Sequence, residues 1–204
     1  MVSDKGKEPW IKFLQIREKT KEYHIELHHL FIDFSSAYDT IDRSQLYTAM
    51  KEFDIPRKLI NMVQITMNNS HCQVRIQTDL SEPLKTLNGL RQGDSLSCLL
   101  FNLALEKIVR DAGIQTRGTI FYKSTQILAY VDDIDIISRS ENDLKKTFLA
   151  LQNSAVKMGL NINEEKTKYM ITNENSRQRK TEQHIKIHNY IFEKVNNFTY
   201  LGVI

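Results

Sequence analysis

Apolar and polar positions change period several times along this chain, and each change marks an element. Residues 9–24 set Trp10, Phe13, Leu14 and Ile16 among charged neighbours, the pattern of an amphipathic helix. Residues 28–34, centred on Leu30-Phe31-Ile32, predict a buried strand, with His28 and His29 as polar residues at its entrance. Asp42-Arg43-Ser44-Gln45 reads as a helix start, with Asp42 as the cap and Gln45 reaching back to it. That helix should run to about Phe53 and stop ahead of Pro56, with a second helix over 57–68. Cys72, Val74 and Ile76 alternate with Gln73, Arg75 and Gln77, which predicts a half-buried strand over 72–77. A shorter strand at 83–87 would pair with it across a turn at 79–81.

Farther on, Gly89-Leu90-Arg91-Gln92-Gly93-Asp94 is a glycine-bracketed loop that opens a helix over 95–111, where Leu96, Leu99, Leu100, Leu103 and Ile108 have helical spacing. Strands are expected near 119–122, 126–131 and 134–138. Ser140-Glu141-Asn142-Asp143 caps another helix, which carries Leu144, Phe148, Leu151 and Ala155 on one face and ends at Met158-Gly159. A strand over 167–172, a polar linker over 173–183 and strands near 185–187, 190–192 and 198–203 complete the pattern. The mixture of hairpins and helices predicts an α+β fold, an antiparallel sheet with helices packed on one face. Repeats and low-complexity tracts are absent from the sequence.

Composition narrows the classes without choosing among them. With 204 residues and 41% hydrophobic content, the chain can bury one sizeable core. A formal net charge of +3 permits a nucleic-acid partner without demanding one. The densest basic run, Ser176-Arg177-Gln178-Arg179-Lys180, reads first as a solvated loop and second as a phosphate contact. Cys72 and Cys98 are too few for a disulfide framework and read as buried thiols of a reducing compartment. His184 and His188 are four apart, but the alternation of Ile185 and Ile187 favours a strand over a zinc site. The N-terminus carries no apolar signal core, and Leu99–Leu105 is too short to span a bilayer. The expectation is an intracellular protein of cytoplasm or nucleus, with no membrane partner.

The chemistry is concentrated in Tyr130-Val131-Asp132-Asp133. Two adjacent acids lie between the β-prone runs Ile127-Leu128-Ala129 and Ile134-Asp135-Ile136-Ile137, so they fall at the tip of a hairpin. Acids in such a place need a partner, and carboxylate oxygen is the preferred ligand of Mg²⁺. Asp33, at the end of Leu30-Phe31-Ile32, is a third carboxylate at a strand end. Three such groups brought together by folding make a site for paired metal ions and in-line phosphoryl displacement.

Five segments in order carry a family resemblance: Phe31 to Asp39 (FIDFSSAYD), Gly89 to Ser97 (GLRQGDSLS), Tyr130 to Asp133 (YVDD), Gly159 to Lys168 (GLNINEEKTK) and Tyr200 to Gly202 (YLG). The chain resembles the palm of a reverse transcriptase, an RNA-directed DNA polymerase, of the non-LTR (LINE-like) retrotransposon family, from about residue 20 to its end. The resemblance implies that Asp33, Asp132 and Asp133 bind two Mg²⁺ ions, or Mn²⁺ in their place, with the backbone carbonyl of Phe34 as a further ligand. It implies that Tyr38 is the steric gate that selects dNTPs, and that Arg91, Gln92 and Gly93 approach nucleotide and template. Lys166 matches a lysine that protonates the leaving pyrophosphate, with Lys168 close enough in sequence to compete for the role. Tyr200, Leu201 and Gly202 match the primer grip. Val131 departs from the alanine usual in the LINE-like group, and a β-prone residue suits a hairpin there.

The implied partners are an RNA template, a DNA primer and dNTPs. Residues 1–27 would be an N-terminal helix and remnant of the fingers, and residues 28–204 a palm ending at the primer-grip turn. Fingers and thumb are then largely missing, as is an endonuclease segment of a parent polyprotein. The alternative is a catalytically inactive, retroelement-derived fragment that at most binds nucleic acid.

Overall fold

A computed structural model describes residues 9–68, 70–114, 120, 125–130, 133–173 and 182–199. Its elements are α1 (Pro9–Glu22), β1 (Leu27–Ile32), α2 (Ala37–Thr40), α3 (Arg43–Glu52), α4 (Arg57–Met67), β2 (His71–Cys72), β3 (Arg75–Ile76), β4 (Asp79–Leu80), β5 (Leu84–Lys85), α5 (Ser95–Asp111), β6 (Thr125–Tyr130), β7 (Asp133–Ser138), α6 (Glu141–Lys157), β8 (Lys168–Thr172), β9 (His184–Ile187) and β10 (Tyr190–Lys194).

The main sheet has six strands in the order β6-β7-β1-β8-β10-β9. Its neighbours are antiparallel except for β8 and β10, which run parallel. Central β1 is buried along its whole length, because both of its edges are paired and both faces are covered. Its side chains alternate: Leu30 and Ile32 join the large core with Ile134, Ile136, Leu46, Phe101, Leu144 and Phe148, so α3 to α6 pack on this face as the sequence predicts. Phe31, Ile137, Leu128 and Met170 face the other way and meet Phe13 and Ile16 of α1, a second and smaller core. Phe148 and Leu144 are fully buried, each worth about 1.5–3 kcal/mol of transfer free energy.

Helix ends follow the sequence, with one exchange of partners. Asp42 caps α3 by accepting from the N–H groups of Ser44 (2.7 Å) and Gln45 (3.1 Å). Its own N–H donates to the Met158 carbonyl (2.9 Å) rather than to the Gln45 side chain, as the sequence led one to expect. Ser140 Oγ accepts from Asp143 N–H (3.1 Å) and starts α6. Gly159 ends that helix at φ +86°, where a Cβ would run into the Thr40 carbonyl. The end of α6 is thereby locked against the junction of α2 and α3.

The region 71–85 differs from expectation. The strand expected over 72–77 is a pair of two-residue ladders, β2 with β5 and β3 with β4, and all four strands are exposed. The turn falls at Gln77-Thr78, with Gln77 at φ 54°, rather than over 79–81. Alternation reports a pleated ribbon here, but burial also needs a layer to cover it, and none of the described residues supplies one. Cys72 rides on this ribbon and Cys98 on the outer side of α5, so both thiols are exposed, not buried. Phe198 and Thr199 lie outside any strand, and the remainder of the strand expected over 198–203 lies outside the described residues.

Candidate active site

The β6–β7 hairpin and the end of β1 meet at one edge of the sheet. β6 and β7 are antiparallel with Tyr130 opposite Asp133, so the hairpin tip falls where the acids were expected. Val131 and Asp132 lie outside the described residues. β1 and β7 pair with Ile32 opposite Ile134, and the same register carried one step on sets Asp33 across from Asp133. Strand alternation puts both on the face of the smaller core, Asp33 in line with Phe31 and Asp133 in line with Asp135 and Ile137. Far apart in sequence, the two acids therefore share a sheet end and a face.

Asp33 is held by its backbone. Its N–H donates to Thr167 Oγ1 (3.2 Å), and its carbonyl accepts from Asn163 N–H (2.8 Å). Ser35 N–H donates to the Asn161 carbonyl (2.9 Å), so Phe34 and Ile162 form a bridge whose bonds are carried by their neighbours. That pattern leaves the Phe34 carbonyl outside the ladder, consistent with the ligand role the resemblance implies. Asp33 Oδ2 is buried and has no hydrogen-bond partner among the described residues. A dry, unpaired carboxylate oxygen is costly unless a cation or donor meets it, so the donor set fits a hard divalent metal. Among the described residues no cluster of three or more metal-ligating side chains is found, since Asp132 is not one of them.

Tyr38 stands beside this edge. Its ring stacks on Phe101 (4.8 Å between centroids, 18° between planes), and its hydroxyl donates to Cys98 Sγ (3.7 Å). The glycine loop is laced to the same short helix: Leu90 N–H donates to the Tyr38 carbonyl (2.6 Å) and Gly89 N–H to the Ile41 carbonyl (2.8 Å). Gly89 has φ +84°, and a Cβ there would come within 2.7 Å of the Asp39 carbonyl oxygen. Gln92 Nε2 donates to the Asp39 carboxylate (3.2 Å). Arg91 is exposed and reaches Ser70 Oγ (3.5 Å), while Gly93 faces open space. Tyr38 and the glycine loop are thus one connected unit.

The two candidate lysines are separated by their contacts. Lys168 Nζ is held by the Glu193 carboxylate (2.6 Å) and the Glu165 carbonyl (2.7 Å). That bond to Lys168, above all, holds the Glu193 carboxyl below its ordinary range. Lys166 is exposed, and its N–H donates to Asn163 Oδ1 (3.3 Å), which places it on the loop stitched to Asp33. Tyr200, Leu201 and Gly202 lie outside the described residues, as does the basic run 176–180.

Three features escaped the sequence reading. Arg43 is buried and donates to the carbonyls of Gly89 (2.7 Å), Met67 (2.8 Å) and Thr86 (3.1 Å), tying loop, helix and ribbon together. Its signal is an arginine one turn before Leu46 on the apolar side of α3. Thr167 is fully buried behind Asp33 and left no mark beyond strand alternation. His29 Nδ1 and Asp135 Oδ2 form a buried pair (3.0 Å), and His28 Nδ1 meets the Tyr169 hydroxyl (2.6 Å). The two histidines are therefore interior residues of a central strand, not polar residues at its entrance. An acid inside the apolar run Ile134–Ile137 was the available sign of that pair.

A family model described as "Reverse transcriptase (RNA-dependent DNA polymerase)" matches residues 5–204. Among curated proteins, the chain is 24% identical over 161 residues to a "Retrovirus-related Pol polyprotein from type-1 retrotransposable element R2" of Popillia japonica, covering 78% of this chain and 26% of that protein. It is 27% identical over 162 residues to the protein of that name from Bradysia coprophila, covering 79% and 18%. The chain thus spans about a quarter or less of these relatives' length. Among solved structures, apo telomerase from Candida tropicalis, truncated from its C-terminal domain, superposes with a TM-score of 0.64 at 17% identity, covering 90% of this chain and 37% of that one. Telomerase from the same species in complex with a fragment of telomeric RNA gives 0.60 at 17% identity, covering 86% and 31%. At that identity the likeness concerns the fold, a polymerase palm. Among the described residues no helix is long and apolar enough to cross a membrane.

Proposed function

Because the chain belongs to the reverse transcriptase (RNA-dependent DNA polymerase) family, we propose that it is the palm of a non-LTR retrotransposon polymerase that extends a DNA primer on an RNA template. Residues 28–204 would form the palm, and the segment 1–27 would belong to the fingers side. The observation that carries the reading is the β1–β7 register, which carried one step past Ile32 and Ile134 sets Asp33 across from Asp133 at one sheet end, with Asp33 Oδ2 buried and unpartnered among the described residues.

Divalent metal chemistry is general in this family, and the residues proposed to hold it here are Asp33, Asp132, Asp133 and the Phe34 carbonyl. Two Mg²⁺ ions bound there, or Mn²⁺ in their place, would lower the pKa of the primer hydroxyl and neutralise charge on the triphosphate. The primer 3′-oxygen attacks the α-phosphorus of the dNTP, the bond to the β-phosphate oxygen breaks, and pyrophosphate leaves. Lys166 donates a proton to that leaving group, from a loop that the Asn163 N–H and the Thr167 hydroxyl tie to the Asp33 backbone. Tyr38, backed by Phe101, fills the space a ribose 2′-hydroxyl needs. Gln92, held by Asp39, and Arg91 and Gly93 meet nucleotide and template. Tyr200, Leu201 and Gly202 are proposed to hold the primer end.

The test is primer extension on an RNA template with Mg²⁺ and dNTPs, comparing the chain with its Asp132→Asn variant. Addition by the parent and none by the variant supports the reading. A folded parent that binds primer–template yet adds nothing favours the inactive fragment instead, and full incorporation by the variant overturns the residue roles.

A further inference from the structure

Beneath the Gly89 loop lies a second polar site, a cavity of about 460 Å³ between the start of α3 and the base of the ribbon. It is lined by Arg43, Ser44, Tyr47, Asn68, Lys85 and Thr86, together with Leu87, and no carboxylate is among them. Arg43 is 9% exposed. Its three acceptors are all backbone carbonyls, which satisfy its hydrogen bonds but cancel none of its charge. Among the described residues, neither Arg43 nor Lys85 forms an ion pair with an acid. The nearby acid, Asp42, is already engaged in capping α3. Buried charges are ordinarily paired, so a buried guanidinium without a counter-ion is an unmet electrostatic demand.

The Tyr47 hydroxyl makes the same point independently. Its oxygen is buried and has no hydrogen-bond partner among the described residues. Burial raises the pKa of this phenol, with Arg43 pulling weakly the other way, so it remains a protonated donor at neutral pH. A buried donor without an acceptor, beside two cations, describes the complement of an oxyanion, while the Ser44 hydroxyl on the same wall already donates to Asp42 (2.6 Å).

We propose that the Arg43–Tyr47–Lys85 cavity is a binding site for a phosphate-class oxyanion, supplied by the backbone of a single nucleic-acid strand. Lys85 provides a mobile ammonium at the rim, Tyr47 a directed O–H, and Arg43 a fixed positive charge that already positions the Gly89 loop through its Nε bond. A phosphate held here would fix a strand directly behind the loop assigned to template contact. That last clause rests on the polymerase reading; the oxyanion site itself does not.

The test uses the chain with Lys85→Gln and Tyr47→Phe variants in EDTA, so that neither metal nor catalysis enters. Thermal melts first establish that each variant folds, and Tyr47→Phe removes only an unpaired hydroxyl. Binding of a labelled single-stranded RNA oligonucleotide is then measured across salt concentrations, with inorganic phosphate titrated in parallel against the Tyr47 ring resonances. The proposal expects severalfold weaker RNA binding in both variants, and a salt dependence reduced by about one counter-ion for Lys85→Gln. Phosphate that perturbs Tyr47 and loses this effect in Lys85→Gln, with RNA binding absent or indifferent to both variants, overturns the nucleic-acid source and leaves a free-phosphate site. If neither ligand distinguishes the variants from the parent, the oxyanion site is wrong.

Discussion

The hydroxyl of Thr167 accepts a hydrogen bond from the backbone N–H of Asp33 at 3.2 Å, across a separation of 134 residues. With the Asn163 N–H on the Asp33 carbonyl, it closes the backbone of the proposed ligand onto the loop that carries Lys166. Thr167→Val keeps the side-chain shape and removes the acceptor, leaving that N–H unpaired. The expected loss is about 1–3 kcal/mol in urea unfolding, with Thr167→Ser retaining most of the wild-type stability. Equal stability of the valine variant and the parent would show that the bond contributes nothing.

Gly89→Ala should be more damaging than an exposed loop substitution. The added methyl meets the Asp39 backbone at 2.7 Å, which cannot rotate away, and the residue must still hold φ +84°. A destabilisation of about 1–3 kcal/mol is expected, together with loss of the Gln92–Asp39 bond, read from the Gln92 side-chain amide resonances. A variant with the parent's melting point and unchanged Gln92 signals contradicts the close packing of loop on helix.

Asp135 sets a pH dependence of unusual sign. Its burial pushes the carboxyl above the usual carboxylate range, with His29 pulling the other way. The folded chain therefore holds this proton more tightly than the unfolded chain does. The group's contribution to stability is complete below the unfolded value, about 3.9, and is lost as pH rises through the elevated folded value. Asp135→Asn has no such titration. The stability difference, variant minus parent, should therefore shift in the variant's favour as pH rises from about 4 towards neutrality. Urea midpoints that keep a constant gap across that range would refute this.

How far the sequence could be read follows from what each feature depends on. The hairpin around the acids and the caps at Asp42 and Ser140 were legible because they are local: a side chain meets a backbone group two or three residues away. The facing of Asp33 and Asp133 was legible only as an implication of motif order, since register between β1 and β7 is a tertiary property. The ribbon misled because alternation encodes a pleat and says nothing about whether a second layer exists to bury it. Arg43 and Thr167 were passed over for the same reason: their partners lie on elements distant in sequence, and their residue types are unremarkable at a helix start and a strand edge. The choice between Lys166 and Lys168 needed the Glu193 contact, which only folding creates.

Tyr38 offers a prediction about specificity rather than stability. Its ring is braced by Phe101, so its position is set from behind. Tyr38→Ala should erode the preference for dNTPs over rNTPs by on the order of tenfold to a hundredfold, whereas Tyr38→Phe keeps the ring and should keep the preference. The measurement is competitive incorporation on one template. A parent that already accepts rNTPs freely is incompatible with the gate.

The proposed divalent-cation site of Asp33 and its partners at the hairpin tip is tested, without requiring turnover, by Mn²⁺ titration followed by electron paramagnetic resonance. Asp33→Asn preserves the shape of a residue whose Oδ2 has no protein partner, so the variant should fold as the parent does. The parent should quench the free-Mn²⁺ signal at low metal concentration, and Asp33→Asn and Asp132→Asn should each weaken that binding about tenfold or more. Folded variants that take up Mn²⁺ with the parent's affinity would contradict the claim outright.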